Sequence, residues 1–168
     1  MPVPAVQGTM DRFASNTVNN VDSKGRVSVP ASFRAVLKKT SKLHALMSVD
    51  HTVVEVGGEQ MMALHEQRLE RLDPLSPDYE IWTFYLLGDG MELKLDTEGR
   101  IQLNDRIREQ TGITDKVLFE GRGLSFWLWE PGKYEAYRTE ARAKVREMRR
   151  NLGSASGATA QGGREPGA

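Results

Sequence analysis

The chain of 168 residues contains no cysteine. That rules out disulfides, thiol nucleophiles and cysteine metal sites, and it fits a reducing compartment. Long apolar runs are missing too: none approaches the ~18–20 residues that a membrane span needs. The N-terminus lacks a basic stretch followed by an apolar one, so no secretory signal is expected and a cytoplasmic location is. Aromatic residues are sparse at 7%. Net charge is absent as well, because 23 Lys and Arg balance 23 Asp and Glu. Overall charge therefore does not point to a polyanionic partner, and only its distribution can.

What is present is a repeat. Val21-Asp22-Ser23-Lys24-Gly25-Arg26-Val27-Ser28-Val29 returns as Leu95-Asp96-Thr97-Glu98-Gly99-Arg100-Ile101-Gln102-Leu103. Each copy runs on to an apolar residue and an arginine, Phe33-Arg34 and Ile107-Arg108. The offset is 74 residues throughout, too long for a solenoid unit and suited to two small duplicated modules. Their electrostatics differ. Asn19 to Leu43 holds six Lys or Arg against one Asp, whereas Leu93 to Val117 holds five against five acids.

Each copy reads as ββα-ββ-α. Thr17–Val21 and Arg26–Val29 alternate around a glycine turn and predict a hairpin, with Gly25 supplying positive φ and Asp22 bonding the turn. Pro30 ends the second strand and opens a short helix to Leu37. Leu43–Met47 and Thr52–Val56 predict strands, and Glu59–Leu72 an amphipathic helix. Ser76 and Pro77 start a helix to Leu87. In the second copy, Met91–Leu95 and Arg100–Leu103 predict a hairpin. A helix capped by Asn104 follows, then strands Val117–Glu120 and Leu124–Trp129, then a charged helix from Tyr134 to Leu152.

These readings divide the chain into an N-terminal extension (1–12), a first module (13–88), a second module (89–152) and a disordered Gly- and Ala-rich tail (153–168). Met10 offers a second start. Neither copy has enough strands to bury a sheet alone, so packing between copies and between subunits is expected to complete the core.

Two readings of Asp22, Gly25 and Arg26 stand side by side. In one, Asp22 caps a turn and Arg26 is solvated or paired to it. In the other, a rigid turn holds a guanidinium suited to a phosphate or a guanine edge, with Lys24 adding a point charge. Retention of both Asp and Arg in two copies favours the second, because a tight turn needs the glycine and not the arginine. Arg34, Lys38, Lys39 and Lys42 read either as a solvated helix face or as a phosphate-tracking surface.

His44, His51 and His65 lie on different elements without metal-ligand spacing, so no metal or cofactor is expected. No nucleophile elbow or phosphate-binding glycine loop is present, and no small-molecule site or catalysis is expected. Trp82, Trp127 and Trp129 read as core or interface anchors. The last helix carries Arg138, Arg142, Lys144, Arg146, Arg149 and Arg150 among Glu135, Glu140 and Glu147. Several opposite charges fall at helical spacing, which predicts a solvated, self-paired helix rather than a second nucleic-acid site.

The segment Asp22 to Arg34, with Leu86-Leu87-Gly88 ahead of Asp96-x-x-Gly99-Arg100, resembles the MraZ transcriptional regulators over about Met10 to Leu152. The doubled Asp-x-x-Gly-Arg is what makes the resemblance specific. It implies an α+β fold of two duplicated AbrB-like swapped-hairpin β-barrel modules with flanking helices, in subunits that close into a ring. It also implies a nucleoid-associated regulator, not an enzyme, that binds double-stranded DNA at promoter repeats upstream of a cell-division and cell-wall gene cluster including its own gene. The family's DNA-binding face carries over to Lys24, Gly25 and Arg26, to Arg34 beside them, and to Arg100 by its match to the motif. The competing reading is a structural ring protein whose arginine turns pair across subunits. An enzyme acting on a phosphorylated ligand is disfavoured, since neither motif has a general base nearby.

Overall fold

The computed structural model describes residues 11–37 and 42–160, with side chains to residue 154. Lys38, Lys39 and the alternative start at Met10 lie outside the described residues. Two compact units emerge, one up to Pro131 and one from Gly132.

The first unit is a mixed α+β structure built on an antiparallel sheet. Its strands are β1 (Asn16–Asn20), β2 (Arg26–Ser28), β3 (Lys42–Met47), β4 (Val54–Gly57), β5 (Met91–Lys94), β6 (Arg100–Gln102), β7 (Lys116–Gly121) and β8 (Phe126–Trp129). Six of them form one sheet in the order β1-β7-β8-β4-β3-β5, while β2 and β6 form a separate two-stranded ribbon.

The pairing departs from the two hairpins expected at the glycine turns. β1 and β2 share the turn, one bridge between Val21 and Val27, and a hydrogen bond from Asn19 Nδ2 to Ser28 O at 2.7 Å, but form no ladder. Beyond it β1 runs along β7, and in the second copy β5 runs along β3. The turns form as expected, but the strands leaving them pair with the other copy. The physical reason lies in the turn itself. The Asp22 side chain accepts the backbone N–H groups of Lys24 and Arg26. The loop is therefore closed locally, and the outer strand edges are free to pair elsewhere.

The exchange is reciprocal. Asn20 pairs with Lys116 and Lys94 with Lys42, positions related by the same 74-residue offset. In the ribbon, Val27 pairs with Ile101, its own counterpart, so an internal two-fold passes through that pair. Val29 N–H donates to Gly99 O, and Leu103 N–H donates to Gly25 O. The β4–β8 pairing joins the copies a second time, with Glu55 opposite Trp127.

One core draws on both copies. Phe33 on helix α1 (Ala31–Leu37) is 2% exposed and packs edge-on against Phe13 and Phe119, at ring centroids 5.3 and 6.3 Å away. Val27 and Ile101 turn inward beside it, which leaves Arg26, Ser28, Arg100 and Gln102 outward, as a two-residue period requires. Helix α4 (Asp105–Thr111) starts at Asn104, whose side chain accepts the Ile107 N–H, and stops at Gly112 in the left-handed region. Met61 and Met62 of helix α2 (Glu59–Glu70) bury with Leu46 and Leu86 in a second cluster. Helix α3 (Pro77–Thr83) is capped by Ser76, as expected, and runs into a π-helical turn over Phe84–Gly88.

The second unit holds most of helix α5 (Pro131–Ala160). Residues 153–160 were expected in a disordered tail, yet the helix continues through them. Extending a nucleated helix costs less than starting one, and Ala155, Ala158 and Ala160 offset the poor propensity of Gly153 and Gly157. Residues 161–168 lie outside the described residues. Self-pairing of this helix is partial: Lys144 Nζ lies 3.6 Å from Glu140, while Arg138, Arg142, Arg146, Arg149 and Arg150 have no ion pair among the described residues.

Candidate nucleic-acid interface

The two Asp-x-x-Gly-Arg turns sit at opposite corners of the β2–β6 ribbon and have the same internal wiring. Asp22 Oδ1 accepts the N–H of Lys24 at 2.9 Å and of Arg26 at 2.8 Å, and its Oδ2 accepts Arg26 Nε at 2.9 Å. Asp96 does the same for Glu98 and Arg100 at the same distances. One carboxylate thus fixes both the turn and the Arg26 guanidinium, which it engages through Nε. The backbone N–H of Arg26 is the largest influence holding the Asp22 carboxyl below its usual range, with the Arg26 side chain and the Lys24 N–H adding to it. Asp96 is lowered in the same way, first by the Arg100 N–H.

Gly25 and Gly99 have φ of 79° and 77°, which glycine adopts without strain. Space is a second constraint. A Cβ on Gly99 would collide with Arg34 Cδ, and one on Gly25 would lie 2.7 Å from Gln102 Nε2 and 3.2 Å from Arg108 Nη2. Each glycine turn is therefore covered by the arginine of the other copy's helix. Gln102 Nε2 also donates to Lys24 O at 2.9 Å, and Arg108 Nη1 to Thr114 O at 3.0 Å. Gln102 and Arg108 were not expected to support the site. Their signal was the 74-residue offset, which aligns Arg108 with Arg34, but only the crossed pairing places each over the opposite turn.

The charges separate the corners. Arg100 Nη1 is also held by Glu98 at 3.2 Å, and its side chain is 23% exposed against 31% for Arg26. Lys24 stands where Glu98 stands, and among the described residues it has no ion-pair partner. The first corner thus presents Lys24 and Arg26, whereas the second corner is locally neutralised; Arg34, expected beside Arg26, instead lies over the second turn, because the crossed pairing carries α1 to the other copy's glycine. Of the expected site residues, Lys24, Gly25 and Arg26 fall on one turn. Arg34 and Arg100 meet at the other.

The histidines are engaged or distant from this face. His44 Nε2 lies 3.2 Å from Glu59 and His65 Nε2 2.9 Å from Glu55, and no group of three potential metal ligands occurs among the described residues. Glu55 also accepts Ser125 Oγ and Trp127 Nε1. Burial pushes its pKa up, but these donors together outweigh burial and leave it lowered. Trp129 is buried, Trp127 is half-buried beneath the Arg122 guanidinium at 3.9 Å, and Trp82 is largely exposed. No helix among the described residues is long and apolar enough to cross a membrane.

Comparison with known proteins gives a consistent result. A family model described as "MraZ protein, putative antitoxin-like" matches residues 86–152. A protein named transcriptional regulator MraZ from Beijerinckia indica subsp. indica is 40% identical over 147 residues, 86% of this chain and 90% of that protein. Its namesake from Azorhizobium caulinodans is 41% identical over 150 residues, 88% and 96% of the two chains. The one from Parvibaculum lavamentivorans is 39% identical over 149 residues, 86% and 92%.

Proposed function

The chain belongs to the MraZ family, whose members are named as transcriptional regulators and not as enzymes, and on that premise we propose that it is a sequence-specific DNA-binding regulator of transcription. The observation that carries this reading is the first corner of the ribbon. Arg26 is clamped through Nε on a rigid turn, Lys24 beside it has no ion-pair partner among the described residues, and both project from an outward face. A guanidinium fixed in this way loses little freedom on meeting a phosphate or a guanine edge. Lys24, Gly25 and Arg26 make the principal contact; Arg34 and Arg100 form a lesser one at the other corner, where Glu98 already holds Arg100.

The reciprocal strand exchange supports reading residues 13–88 and 89–152 as two AbrB-like modules in one chain. Exposed Ile81, Phe84 and Leu87, spaced by three, supply an apolar surface for neighbouring subunits. In this reading, subunits close into a ring on the nucleoid and display the Arg26 corner at intervals. Weak contacts then add over repeated short sequences through effective concentration. The repeats expected are those upstream of a cell-division and cell-wall gene cluster that includes the protein's own gene.

The second reading is a structural ring without DNA whose arginine turns pair across subunits; in the single chain both arginines already pair with the aspartate of their own turn, which leaves less for such a contact. The deciding experiment titrates wild type and Arg26→Ala against a duplex from the protein's upstream region across a salt series, with size-exclusion on both. The expected outcome is salt-dependent binding by wild type that is lost in a variant of unchanged size. A well-assembled wild type that binds no duplex, or a variant that dissociates, would favour the structural reading.

A further inference from the structure

Helix α5 sorts its side chains by kind. With about 3.6 residues per turn, Arg138, Arg142, Arg146, Arg149 and Arg150 fall within roughly a third of the circumference. Glu140 and Glu147 fall on the opposite side, and Glu135 is the one acid on the arginine arc, one turn before it begins. Val145, 54% exposed, borders the arc, while Met148, 62% exposed, lies well outside it. All five arginines are exposed, and no carboxylate lies within ion-pair distance of any of them among the described residues. Residues 138–152 carry six Lys or Arg against two Glu in a chain that is neutral overall.

Unpaired charge at this density repels itself along the helix, since like charges at i,i+4 destabilise. The i, i+4, i+8, i+11 spacing makes a straight row that rises about 6 Å per four-residue step. A row of cations at regular intervals matches a regularly spaced polyanion better than it matches an irregular acidic protein surface. The choice of arginine for five of the six cations suits bidentate contact with phosphate oxygens. We infer that the arginine row of α5 is a second, sequence-independent contact to the phosphate backbone of duplex DNA. It is separate from the Arg26 corner, and it rests on the DNA-binding reading above. The row anchors while the ribbon reads, the usual division between phosphate and base contacts.

The test is Arg142→Gln/Arg146→Gln/Arg149→Gln in the full chain. Glutamine keeps most of the length and nearly the helix propensity, so helicity by circular dichroism should be unchanged. Binding is measured over a salt series on two duplexes, one from the upstream region and one of random sequence. Affinity for both should fall by the same factor, and the slope of log K on log salt should shrink by about 1 per arginine removed. The matching triple Arg→Lys variant should retain most of the slope. An unchanged affinity and slope would overturn the inference and assign the row to an acidic protein surface. If wild type also retains its preference for the upstream duplex and Arg26→Ala loses it, only this inference falls. If wild type binds neither duplex, the DNA reading falls with it.

Discussion

Lys24 and Glu98 occupy equivalent places in two turns that are otherwise wired alike, and this one difference sets what each turn offers. Arg26→Ala is expected to weaken duplex binding far more than Arg100→Ala, because Glu98 already neutralises Arg100 at 3.2 Å. Equal losses in a titration would show that local charge does not separate the corners. The carboxylates beneath both arginines are lowered from 3.8, chiefly by the backbone N–H of the arginine itself. A group depressed in the folded state contributes stability that is present above its unfolded pKa and lost as pH falls through the lower folded value. The turns should therefore stay closed throughout the neutral and mildly acidic range. A carboxyl NMR titration should give Asp22 and Asp96 midpoints below the ordinary aspartate value. These residues were legible in the sequence because an Asx turn is local: Asp, Gly and Arg within five positions specify it. The roles of Gln102 and Arg108 were not, since the glycine turn that each covers lies in the other copy.

At the scale of elements, the strands were legible as strands but not their partners. Alternation marks a strand without naming its partner, and β1 is exposed along nearly all of its length, so no buried face of its own distinguishes β2 from β7. The turns close through Asp22 and Asp96, so a ladder along their own arms is not required. Phe33 shows how α1 is bound into the result, packed against Phe13 and Phe119 from both ends of the exchanged pair. Phe33→Ala should cost about 3–5 kcal/mol in a denaturant titration. Glu55 on β4 is a polar counterpart, accepting from His65 on α2, from Ser125 just before β8 and from Trp127 on β8. Glu55→Ala strips three donors of their acceptor and is expected to destabilise by about 2 kcal/mol or more, read as a lowered Tm. Helix α5 shows the opposite limit of sequence reading. Opposite charges at helical spacing predicted self-pairing, yet facing positions permit a pair without compelling it, and five arginines remain free of ion pairs among the described residues.

For the first unit as a whole, the exchange makes the two copies a single cooperative body. Among the described residues, strand β1 has its ladder only with β7, and β5 only with β3. Fragments 13–88 and 89–152 expressed apart should each leave strand edges unpaired and fail to give the native spectrum, while mixing them should restore it. The intact unit should unfold in one transition when circular dichroism and tryptophan fluorescence are compared. Two independent transitions would show that the copies fold as separate bodies.

The internal two-fold through Val27 and Ile101 has a consequence for how such a chain can meet its target. A homodimer with a true dyad presents identical hands on both sides and is matched by a palindrome. Here both hands are on one polypeptide, so each is free to mutate alone, and Lys24 opposite Glu98 records that freedom. The scaffold keeps its dyad while the chemistry on it does not. Under the proposed function each chain therefore has a direction, and head-to-tail copies of a short site suit it better than mirrored ones. Inverting every second copy in a synthetic array should reduce binding although each half-site is preserved.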